Sequence, residues 1–471
     1  MKHTKIVCTI GPSSRTATRL EEMISAGMNV ARLNFSHGDY EDHAKLVKTI
    51  RAVSRRKKTP IAILQDLQGP RIRTGDLPKE GITIKKGDSV VLVSQKEYEK
   101  ENSKGHVYLP IQYTRLYQYV KPKGTIFIQD GTINLRVIRV KDKKIHTEVV
   151  QGGTVFSHKG INAPGVTIGG AVITPKDKED LKFGIKQDVD YVALSFVKDA
   201  QNIRNLRKMI PKSKRIKIIA KIERAEAIAN FDKILEVVDG IMVARGDLGV
   251  ELGPSEIPLI QKEIILKCLK AAKPVIVATQ MLESMVSNPS PTRAEANDVA
   301  NAIVDHTDAI MLSAESATGK FPVEAIRTMT NIADKVEKSR FDDLPAEIYG
   351  TRAETKSAGV AQSAVHLAEA IGARAIVVLS RSGQTATMVS KLRPQHATIV
   401  VFTDDEKVLR QLALVWGVVG IPVKLPRTRE EFIRTTRKVI HDQRMARKGD
   451  FVVVVSGFIK SDLAIAEAVE I

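Results

Sequence analysis

Cysteines, aromatic residues and long apolar runs are all scarce in this chain of 471 residues, and each scarcity excludes a class of protein. The two cysteines, Cys8 and Cys268, have no CxxC spacing and are too few for a disulfide scaffold, so we expect both to be buried apolar residues. No apolar stretch approaches the roughly 18–20 residues needed to cross a bilayer, and no signal-peptide pattern opens the sequence. These features predict a cytoplasmic protein without a membrane partner.

Positive charge is in excess, since 73 lysines and arginines face 54 acidic residues and give a formal charge of +19 at pH 7. Such an excess is compatible with nucleic acid, an anionic membrane, small anionic substrates or a solvated basic surface. Aromatic residues are only 4% of the chain, and the basic clusters at 55–58 and 141–144 are short and interrupted. We therefore expect no nucleic-acid partner.

Eight short apolar runs predict β-strands, most of them followed by an amphipathic helical stretch. They cover residues 5–10, 28–33, 61–65, 191–194, 216–220, 241–244, 275–278 and 309–312. Polar or charged residues follow each run, which is typical of a (β/α)8 TIM barrel with its active site at the carboxyl ends of the strands. An open doubly wound sheet, the alternative, would usually gather ligand residues at one switch point.

Two further regions differ from the barrel. Residues 70–169 contain strand-like runs at 88–93, 124–128 and 145–150 with little helical periodicity, which predicts a small β-barrel domain inserted into the TIM barrel. Beyond a polar stretch at 339–357, buried-strand candidates at 375–379, 398–402 and 451–455 predict a C-terminal α/β domain. The predicted division is a barrel of residues 1–69 and 170–345, an insertion of residues 70–169 and a C-terminal domain of residues 346–471.

Consecutive strand ends bring two carboxylates and an ammonium to one rim, from Lys221, Glu223 and Asp247, with Gly246 beside them. A hard divalent cation such as Mg2+ uses few protein carboxylates and leaves positions for substrate oxygens, which this pair fits. Isolated surface carboxylates near a lysine are the competing interpretation. The position at strand ends in register with other polar strand ends favours a metal site.

Arg32 and Arg73 are expected at the same rim, and guanidinium groups bind phosphate or carboxylate oxygens in a bidentate manner. Beside a magnesium site, two arginines suggest a phosphorylated substrate. Thr279, Ser313 and Glu315 add two hydroxyls and a carboxylate that could relay a proton, although the sequence around each one alone favours a capping residue.

In the C-terminal domain, residues 380–386 join a strand to a helix with Ser380, Ser382, Gly383 and Thr385. Hydroxyls and a glycine at a helix N-terminus can bind an anion. A plain N-cap explains the serine and threonine about as well.

The order and length of several motifs show a family resemblance. The motifs are TIGPS at 9–13, NVARLNFSHG at 29–38, GPRIRTG at 69–75, KGINAPG at 159–165, DLKFG at 180–184, AKIE at 220–223, MVARGDLG at 242–249, ATQMLESM at 278–285 and MLSAE at 311–315. Over essentially its whole length the chain resembles the pyruvate kinase family. The resemblance implies a barrel with a β-rich lid and a regulatory C-terminal α/β domain, assembled as a homotetramer.

The activity that the resemblance implies is transfer of the phosphoryl group from phosphoenolpyruvate to ADP, giving ATP and pyruvate in the last step of glycolysis. Matched positions imply that Arg32 contacts the phosphoryl group, that Lys221 stabilises it in flight, and that Glu223 and Asp247 hold Mg2+, or Mn2+ in its place. Gly246, Asp247 and Thr279 would bind the carboxylate end, and Thr279 with Ser313 and Glu315 would relay the proton to the enolate. Asn34, His37, Arg73 and Lys176 fall at nucleotide-binding positions, with a second Mg2+ arriving on ADP.

One segment departs from the family pattern. Asn34, Ser36 and Asp66 match monovalent-cation ligands, but Leu67 stands where potassium-requiring members have threonine, and Arg71 stands where they have glutamate. A guanidinium there could supply the positive charge of K+ and would repel an added cation. The segment resembles the potassium-independent branch, so we expect activity without K+.

The effector is less defined by the resemblance. The loop at 380–385 matches the family's cradle for a phosphorylated effector, whereas residues 456–462 lack the glycine-rich loop usual in fructose-bisphosphate-activated members. The effector is then another phosphorylated metabolite, or there is none. Two other functions remain open at this stage: a Mg2+-dependent lyase or aldolase, which would not need the lid, Arg73 or Lys176, and a non-catalytic RNA-binding protein, which would not need Lys221.

Overall fold

The computed structural model describes residues 2–100, 107–129, 131–166, 171–342, 344, 355–457 and 464–471, and all structural statements concern these residues. Residues 169, 170, 345 and 346, where two predicted domain boundaries fall, lie outside the described ranges. So do residues 458–462 of the predicted C-terminal effector segment, and residues 343 and 345–354 of the polar stretch.

The chain begins with three strands of a parallel barrel, β1 (Lys5–Thr9), β2 (Val30–Asn34) and β3 (Ala62–Asp66). Every residue of β1 and β3 is buried, because one face of each strand points into the barrel and the other packs under helices. This explains why each strand is a continuous apolar run that ends in a polar residue.

Two further sheets, built almost entirely from antiparallel strands, follow β3. Their strands are β4 (Ile72–Arg73), β5 (Ile82–Ile84), β6 (Ser89–Val93), β7 (Val107–Pro110), β8 (Thr125–Ile128), β9 (Ile133–Lys141), β10 (Lys144–Gln151), β11 (Gly153–Val155) and β12 (Gly160–Asn162). Seven strands pair in the order β4-β12-β8-β9-β10-β6-β7, and β11 pairs with β5. A single bridge between Thr74 and Ile111 joins residues next to the two edge strands. The sheet therefore curves around a core of its own, which includes Leu92, Leu109 and Leu135.

The chain then returns and completes the barrel with β13 (Tyr191–Leu194), β14 (Lys217–Ile222), β15 (Gly240–Ala244), β16 (Val275–Ala278) and β17 (Ala309–Leu312). The order β1-β17-β16-β15-β14-β13-β3-β2 is closed and all eight strands are parallel. The predicted (β/α)8 barrel is therefore confirmed. All eight carboxyl ends meet at one rim, which brings their polar residues together.

The C-terminal region forms a separate five-stranded sheet with helices. It contains β18 (Ala375–Leu379), β19 (Thr398–Thr403), β20 (Val418–Pro422), β21 (Phe451–Gly457) and β22 (Ala464–Glu470), in the order β20-β19-β18-β21-β22. The predicted α/β architecture is confirmed. The two edge strands, β20 and β22, were not predicted.

The helices are α1 (Ala17–Ala26), α2 (Tyr40–Arg56), α3 (Gln95–Tyr98), α4 (Pro175–Lys186), α5 (Ala200–Met209), α6 (Ala225–Ala229), α7 (Phe231–Val237), α8 (Arg245–Leu252), α9 (Ile257–Lys270), α10 (Arg293–Val304), α11 (Ala314–Ala317), α12 (Pro322–Val336), α13 (Lys356–Ala370), α14 (Gln384–Ser390), α15 (Glu406–Leu412) and α16 (Arg429–Asp442). Local signals start several of them: Thr174 and Thr292 form capping boxes before α4 and α10. No helix within the described ranges is long and apolar enough to span a membrane.

Helix α15 attaches the C-terminal region to the barrel end opposite the polar rim. Arg410 Nε donates to Asp190 Oδ1 at 2.8 Å, and Lys407 Nζ donates to Asp188 Oδ1 at 2.7 Å. Arg51 Nη2 donates to the other oxygen of Asp190 at 2.8 Å. Leu414, just after α15, belongs to the same buried cluster as the side chains inside the barrel. The amino-terminal end of the barrel is therefore covered by the C-terminal region, and the polar rim is the end left for a site.

Candidate active site

A small cavity lies at the rim where the barrel strands end. Its volume is about 50 Å3, and it is lined by Arg32, Asn34, Ser36, Asp66, Leu67, Gln68, Arg71, Ser195, Phe196, Lys221, Glu223 and Asp247. Three of these residues are cationic and three are carboxylates. The cavity is therefore a cluster of opposed charges, drawn from five barrel strands and the segment that leads into the inserted sheet.

Lys221 occupies the centre of this cluster. Its Nζ donates to Ser195 Oγ at 2.7 Å and lies 2.8 Å from Glu223 Oε1 and 3.4 Å from Asp66 Oδ1. Burial lowers the pKa of Lys221, but the two carboxylates more than offset this effect, so the pKa is raised above its usual value. Lys221 therefore keeps its positive charge at neutral pH.

Arg32 is held at two of its three guanidinium nitrogens. Its Nε donates to Asp66 Oδ2 at 2.7 Å, and its Nη1 donates to Thr9 Oγ1 at 2.8 Å. Thr9 and Arg32 are register partners on β1 and β2, which places their side chains next to each other. The guanidinium therefore has a defined plane at the edge of the cavity.

Asp66 connects the two cations, and its side chain is only 1% exposed. Burial raises the pKa of Asp66, but the positive charges of Lys221 and Arg32 lower it by more than burial raises it. The pKa of Asp66 is therefore below its usual value. Asp66 is thus a buried carboxylate kept ionised by Lys221 on one oxygen and Arg32 on the other.

Glu223 is fixed by two donors. Its Oε1 pairs with Lys221 Nζ at 2.8 Å, and its Oε2 accepts a hydrogen bond from the backbone N–H of Phe196 at 2.7 Å. Phe196 has a left-handed backbone with φ of 56°, which is uncommon for a bulky residue and turns this N–H toward the carboxylate. Burial raises the pKa of Glu223, the charge of Lys221 lowers it, and the charge of Asp247 raises it again. The pKa of Glu223 is therefore above its usual value.

Asp247, at the start of α8, is approached from the inserted sheet. Its Oδ1 accepts Asn162 Nδ2 at 3.3 Å and Arg71 Nη2 at 3.4 Å. Within the described ranges, no group of three or more histidines, cysteines and acidic residues is arranged to hold a metal. Glu223 and Asp247 instead form a two-carboxylate oxygen donor set, which fits Mg2+ completing its shell with substrate oxygens and water.

Thr279 has a strained backbone next to this donor set. Its φ is 69°, in the left-handed region that β-branched residues rarely adopt. Arg245 Nη2 donates to the Thr279 carbonyl at 2.6 Å, and the Gly246 N–H donates to Thr279 Oγ1 at 2.8 Å. These bonds fix the Thr279 hydroxyl beside Gly246 and therefore close to Asp247 in the chain.

Ser313 and Glu315 lie past the end of β17, outside the lining of the small cavity. Glu315 is fully buried, and its two oxygens accept the backbone N–H groups of Ser313 at 2.7 Å and Leu282 at 3.1 Å. Glu315 therefore ties the loop after β17 to the loop after β16, the loop that carries Thr279.

The predicted nucleotide-binding residues extend from the cavity along one side. Asn34 lines the cavity and its Oδ1 accepts the Ser36 N–H at 3.1 Å, while His37 is exposed. Arg73 Nη1 donates to the His158 carbonyl at 2.8 Å. Lys176 Nζ donates to the Phe35 carbonyl at 2.8 Å and to Asp180 Oδ2 at 2.6 Å.

The electrostatic field near His37 is positive. Partial desolvation of the otherwise exposed His37 ring lowers its pKa, and the charges of Arg73, Arg32 and Arg71 lower it further. Three guanidinium groups therefore act on the segment that follows β2, where anionic phosphate groups would be favoured.

The residues matched to a monovalent-cation site, Asn34, Ser36 and Asp66, all line the cavity together with Arg71. Leu67 is fully buried, and its carbonyl accepts the Ser195 hydroxyl at 2.7 Å. The position that would carry a threonine oxygen thus has no side-chain oxygen, and its backbone oxygen already has a donor.

The candidate effector loop is closed by its own hydrogen bonds. Ser380 Oγ accepts the Gly383 N–H at 3.0 Å, and Gly383 has a φ of 79°. Ser382 is exposed and Thr385 is half-buried. This geometry is that of a capped turn before α14, so effector binding stays a prediction.

Several residues of the site were not predicted as site residues from the sequence: Thr9, Ser195, Phe196, Asn162 and Arg245. Ser195 was visible only as the polar residue after the run at 191–194, whereas Thr9, Asn162 and Arg245 were visible only as parts of the motifs at 9–13, 159–165 and 242–249. Their roles depend on strand register and on the approach of the inserted sheet, which a single sequence does not display.

The fold and the rim define a class: a (β/α)8 barrel enzyme with paired buried charges at the carboxyl ends of its strands. Comparison with known proteins is consistent with this class and narrows it. The barrel-domain model of the pyruvate kinase family matches residues 1–326, and the alpha/beta-domain model of the same family matches residues 358–464.

Known relatives are similar over nearly the whole chain. Pyruvate kinase of Geobacillus stearothermophilus is 43% identical over 461 residues, covering 97% of this chain and 78% of the relative. Pyruvate kinase of Clostridium perfringens is 42% identical over 463 residues, covering 97% of both chains. One from Agrobacterium vitis is 40% identical over 458 residues, covering 97% and 94%.

The chain belongs to the pyruvate kinase family. It is a phosphotransferase that moves the phosphoryl group of phosphoenolpyruvate to ADP, giving ATP and pyruvate in the last step of glycolysis. Members of this family generally use Mg2+.

Proposed function

We propose that the charge cluster at the barrel rim performs this phosphoryl transfer, with Arg32 and Lys221 binding the transferred group. The observation that supports this most directly is the position of Lys221, an ammonium held by Asp66, Glu223 and Ser195 at the wall of the cavity. Its raised pKa keeps the charge needed to stabilise phosphoryl oxygens.

Phosphoryl transfer depends on positioning and on neutralising the charge of the three equatorial oxygens. Arg32, with its plane fixed by Asp66 and Thr9, binds the phosphoryl group in a defined orientation. Lys221 stays with the group while an ADP oxygen attacks phosphorus and the bond to the enolate oxygen breaks. Glu223 and Asp247 would hold Mg2+, which supplies further neutralisation of oxygen charge when bound.

The enolate that leaves must gain a proton at carbon to become pyruvate. We assign the hydroxyls of Thr279 and Ser313 to this relay, with a water molecule passing the proton to the carbon. Glu315 has both oxygens engaged with backbone N–H groups, and it fixes the loops that carry the two hydroxyls. Gly246, Asp247 and Thr279 bind the carboxylate end of the substrate.

ADP is assigned to the side of the cavity that carries Asn34, His37, Arg73 and Lys176. The three guanidinium groups that lower the pKa of His37 make this side favourable for phosphate oxygens. A second Mg2+ would arrive as part of the nucleotide substrate.

We further propose that K+ is not required. Arg71 shares the cavity with Asn34, Ser36 and Asp66, so a fixed cation is already present near the potassium-type ligands. Adding a monovalent cation beside a guanidinium costs Coulomb repulsion in this partly buried place. Leu67 also contributes no side-chain oxygen to such a site.

The experiment measures pyruvate formation by the purified chain from phosphoenolpyruvate, ADP and MgCl2 in a buffer free of K+ and Na+, with and without KCl. We expect full activity without KCl. Lys221→Met should lose at least about 1,000-fold in kcat, because it removes a charge aimed at the transition state. Lys217→Met, on the same strand at the opposite end of the barrel, is the matched control and should keep its activity.

Arg71→Glu tests the potassium proposal separately from the activity. It should make turnover dependent on KCl, whereas Arg71→Gln should weaken turnover without adding such dependence. A wild-type rate that rises by orders of magnitude with KCl would refute potassium independence but leave the phosphoryl transfer intact. No ADP-dependent pyruvate formation under any salt would refute the assigned function.

The remaining expectations follow from the same family membership and stay predictions. We propose that residues 1–69 and 170–345 act as the catalytic barrel, residues 70–169 as a lid and residues 346–471 as a regulatory domain, a division that the barrel, the two sheets of the insertion and the C-terminal sheet support. A homotetramer, a cytoplasmic location, use of Mn2+ and a phosphorylated effector at Ser380, Ser382, Gly383 and Thr385 are also proposed and await measurement.

A further inference from the structure

Thr9 is a buried hydroxyl at the end of β1, next to Arg32. It is only 4% exposed and makes two side-chain hydrogen bonds. Its Oγ1 accepts Arg32 Nη1 at 2.8 Å and donates to the carbonyl of Leu312 at 2.9 Å. Because a guanidinium can only donate and a carbonyl can only accept, the direction of both bonds is fixed.

The position of Thr9 is itself held by the barrel. Thr9 pairs with Arg32 across β1 and β2, and its carbonyl accepts the hydroxyl of Ser316 at 2.9 Å. Leu312, whose carbonyl takes the Thr9 hydroxyl, ends β17 and directly precedes Ser313. Thr9 therefore joins Arg32 to the strand end that carries a residue of the candidate proton relay.

Asp66 alone does not fix the plane of the Arg32 guanidinium. A single hydrogen bond at Nε leaves the guanidinium plane free to tilt about the N–H···O axis, whereas a second hydrogen bond at Nη1 fixes that tilt. Planar, multidentate recognition of a phosphoryl group requires such a fixed plane. The Thr9 hydroxyl supplies the second contact. Thr9 is on β1 and Asp66 is on β3, so the two residues reach Arg32 from opposite sides of β2.

We propose that Thr9 is a positioning residue that orients Arg32 for the phosphoryl group of phosphoenolpyruvate. The proposal rests on the assignment of Arg32 in the proposed function. Thr9 does not touch substrate; it acts through the guanidinium. Its loss should therefore raise the KM for phosphoenolpyruvate and lower kcat, with little effect on the KM for ADP.

The test compares Thr9→Val, which keeps the shape and removes the hydroxyl, with Thr9→Ser, which keeps the hydroxyl. Thr9→Val should lower kcat/KM for phosphoenolpyruvate about 10- to 100-fold, the range expected for a lost hydrogen bond to a charged group. Thr9→Ser should restore the wild-type value to within about threefold. The KM for ADP should stay the same in both variants.

Thr307→Val is the matched control. Thr307 is fully buried two residues before β17, and its hydroxyl also contacts two backbone carbonyls, those of Val275 at 3.0 Å and Ala309 at 3.1 Å. It lies at the opposite end of the barrel, so its loss should lower the thermal unfolding midpoint without changing the KM for phosphoenolpyruvate. An equal loss of stability with no change of KM in Thr9→Val would show that Thr9 is merely structural and would overturn the proposal.

If Thr9→Val does not fold, Thr9→Cys provides the same comparison, because a thiol is a weak acceptor for a guanidinium. Arg32→Lys separates the two levels of inference. An Arg32→Lys variant with unchanged kinetics would remove Arg32 from phosphoryl binding and refute the assigned role of Arg32. An impaired Arg32→Lys variant together with an unchanged Thr9 variant would refute the role of Thr9 alone.

Discussion

Removal of the negative charge of Asp66 should make the charge of Lys221 sensitive to pH. In the native protein, burial disfavours the Lys221 ammonium, and the carboxylates of Asp66 and Glu223 more than compensate for it. Asp66→Asn keeps the shape and the hydrogen bond from Arg32 but removes one of these two charges. Burial then has only Glu223 to oppose it, and the pKa of Lys221 falls.

The magnitude follows from the distance of 3.4 Å between Asp66 Oδ1 and Lys221 Nζ. At an effective dielectric constant of about 20, a pair of unit charges at this distance interacts by about 5 kcal/mol, which is an upper limit of between 3 and 4 pKa units. Since the carboxylate charge is spread over two oxygens and Arg32 draws on one, we expect the pKa of Lys221 to fall by less than this limit.

The assay is the pH dependence of kcat/KM for phosphoenolpyruvate, together with the Lys221 ammonium followed directly by nitrogen-detected NMR. The alkaline limb of the profile should move to lower pH in Asp66→Asn, and the NMR titration should move with it. Asp190→Asn is the control, because Asp190 is fully buried and is paired with Arg51 and Arg410 at the opposite end of the barrel. It should lose stability without moving either titration. A folded Asp66→Asn protein with unchanged titrations would refute this account of Lys221.

Two further predictions concern stability. Burial lowers the pKa of His3 from 6.5 to about 4, so between these pH values the unfolded chain binds a proton at His3 and the folded chain does not. The free energy of unfolding should therefore decrease by up to about 3 kcal/mol as the pH falls from 6.5 to 4. Urea unfolding at both ends of this range should show the loss in the wild type and a smaller loss in His3→Gln, and equal losses would contradict the assignment. Glu315→Gln replaces one of two acceptors for buried N–H groups with a donor, so it should lower the free energy of unfolding by about 1–3 kcal/mol. Calorimetry measures this change, and an unaltered unfolding midpoint would show that the carboxylate does not tie the two loops together.

The barrel strands could be predicted closely because both of their faces are buried. Strands such as β3 and β16 are continuous apolar runs, so their bounds agree with the sequence pattern within a residue. The edge strands β20 and β22 were missed for the opposite reason. β20 is mostly half-buried and ends in proline, and the apolar residues of β22 are interrupted by Glu467, so neither edge strand gives a continuous apolar run.

The charged residues of the site could also be predicted, because strand ends of a barrel meet at one rim whatever the details of packing. Their partners could not. Ser195 bonds Lys221 because β13 lies between β3 and β14 in the barrel, and Asn162 reaches Asp247 because the inserted sheet approaches α8. Such contacts depend on register and on the placement of one sheet against another. Neither leaves a periodic signal in a single chain.

The two ends of the barrel use similar buried ion pairs for different purposes. At the covered end, the Asp190 carboxylate pairs with Arg51 of the barrel and with Arg410 of α15. These ion pairs lie within the protein and fix the C-terminal region to the barrel. At the rim, Asp66 is likewise shared between two cations, but Arg32 and Lys221 both border a cavity. A buried ion pair seldom stabilises a fold more than apolar residues of the same size would, so stability alone does not account for the pairs at the rim. The proposed function gives the pairs at the rim a second purpose, because Asp66 keeps the Lys221 ammonium charged and holds the Arg32 guanidinium at the edge of the cavity that an anionic group would enter.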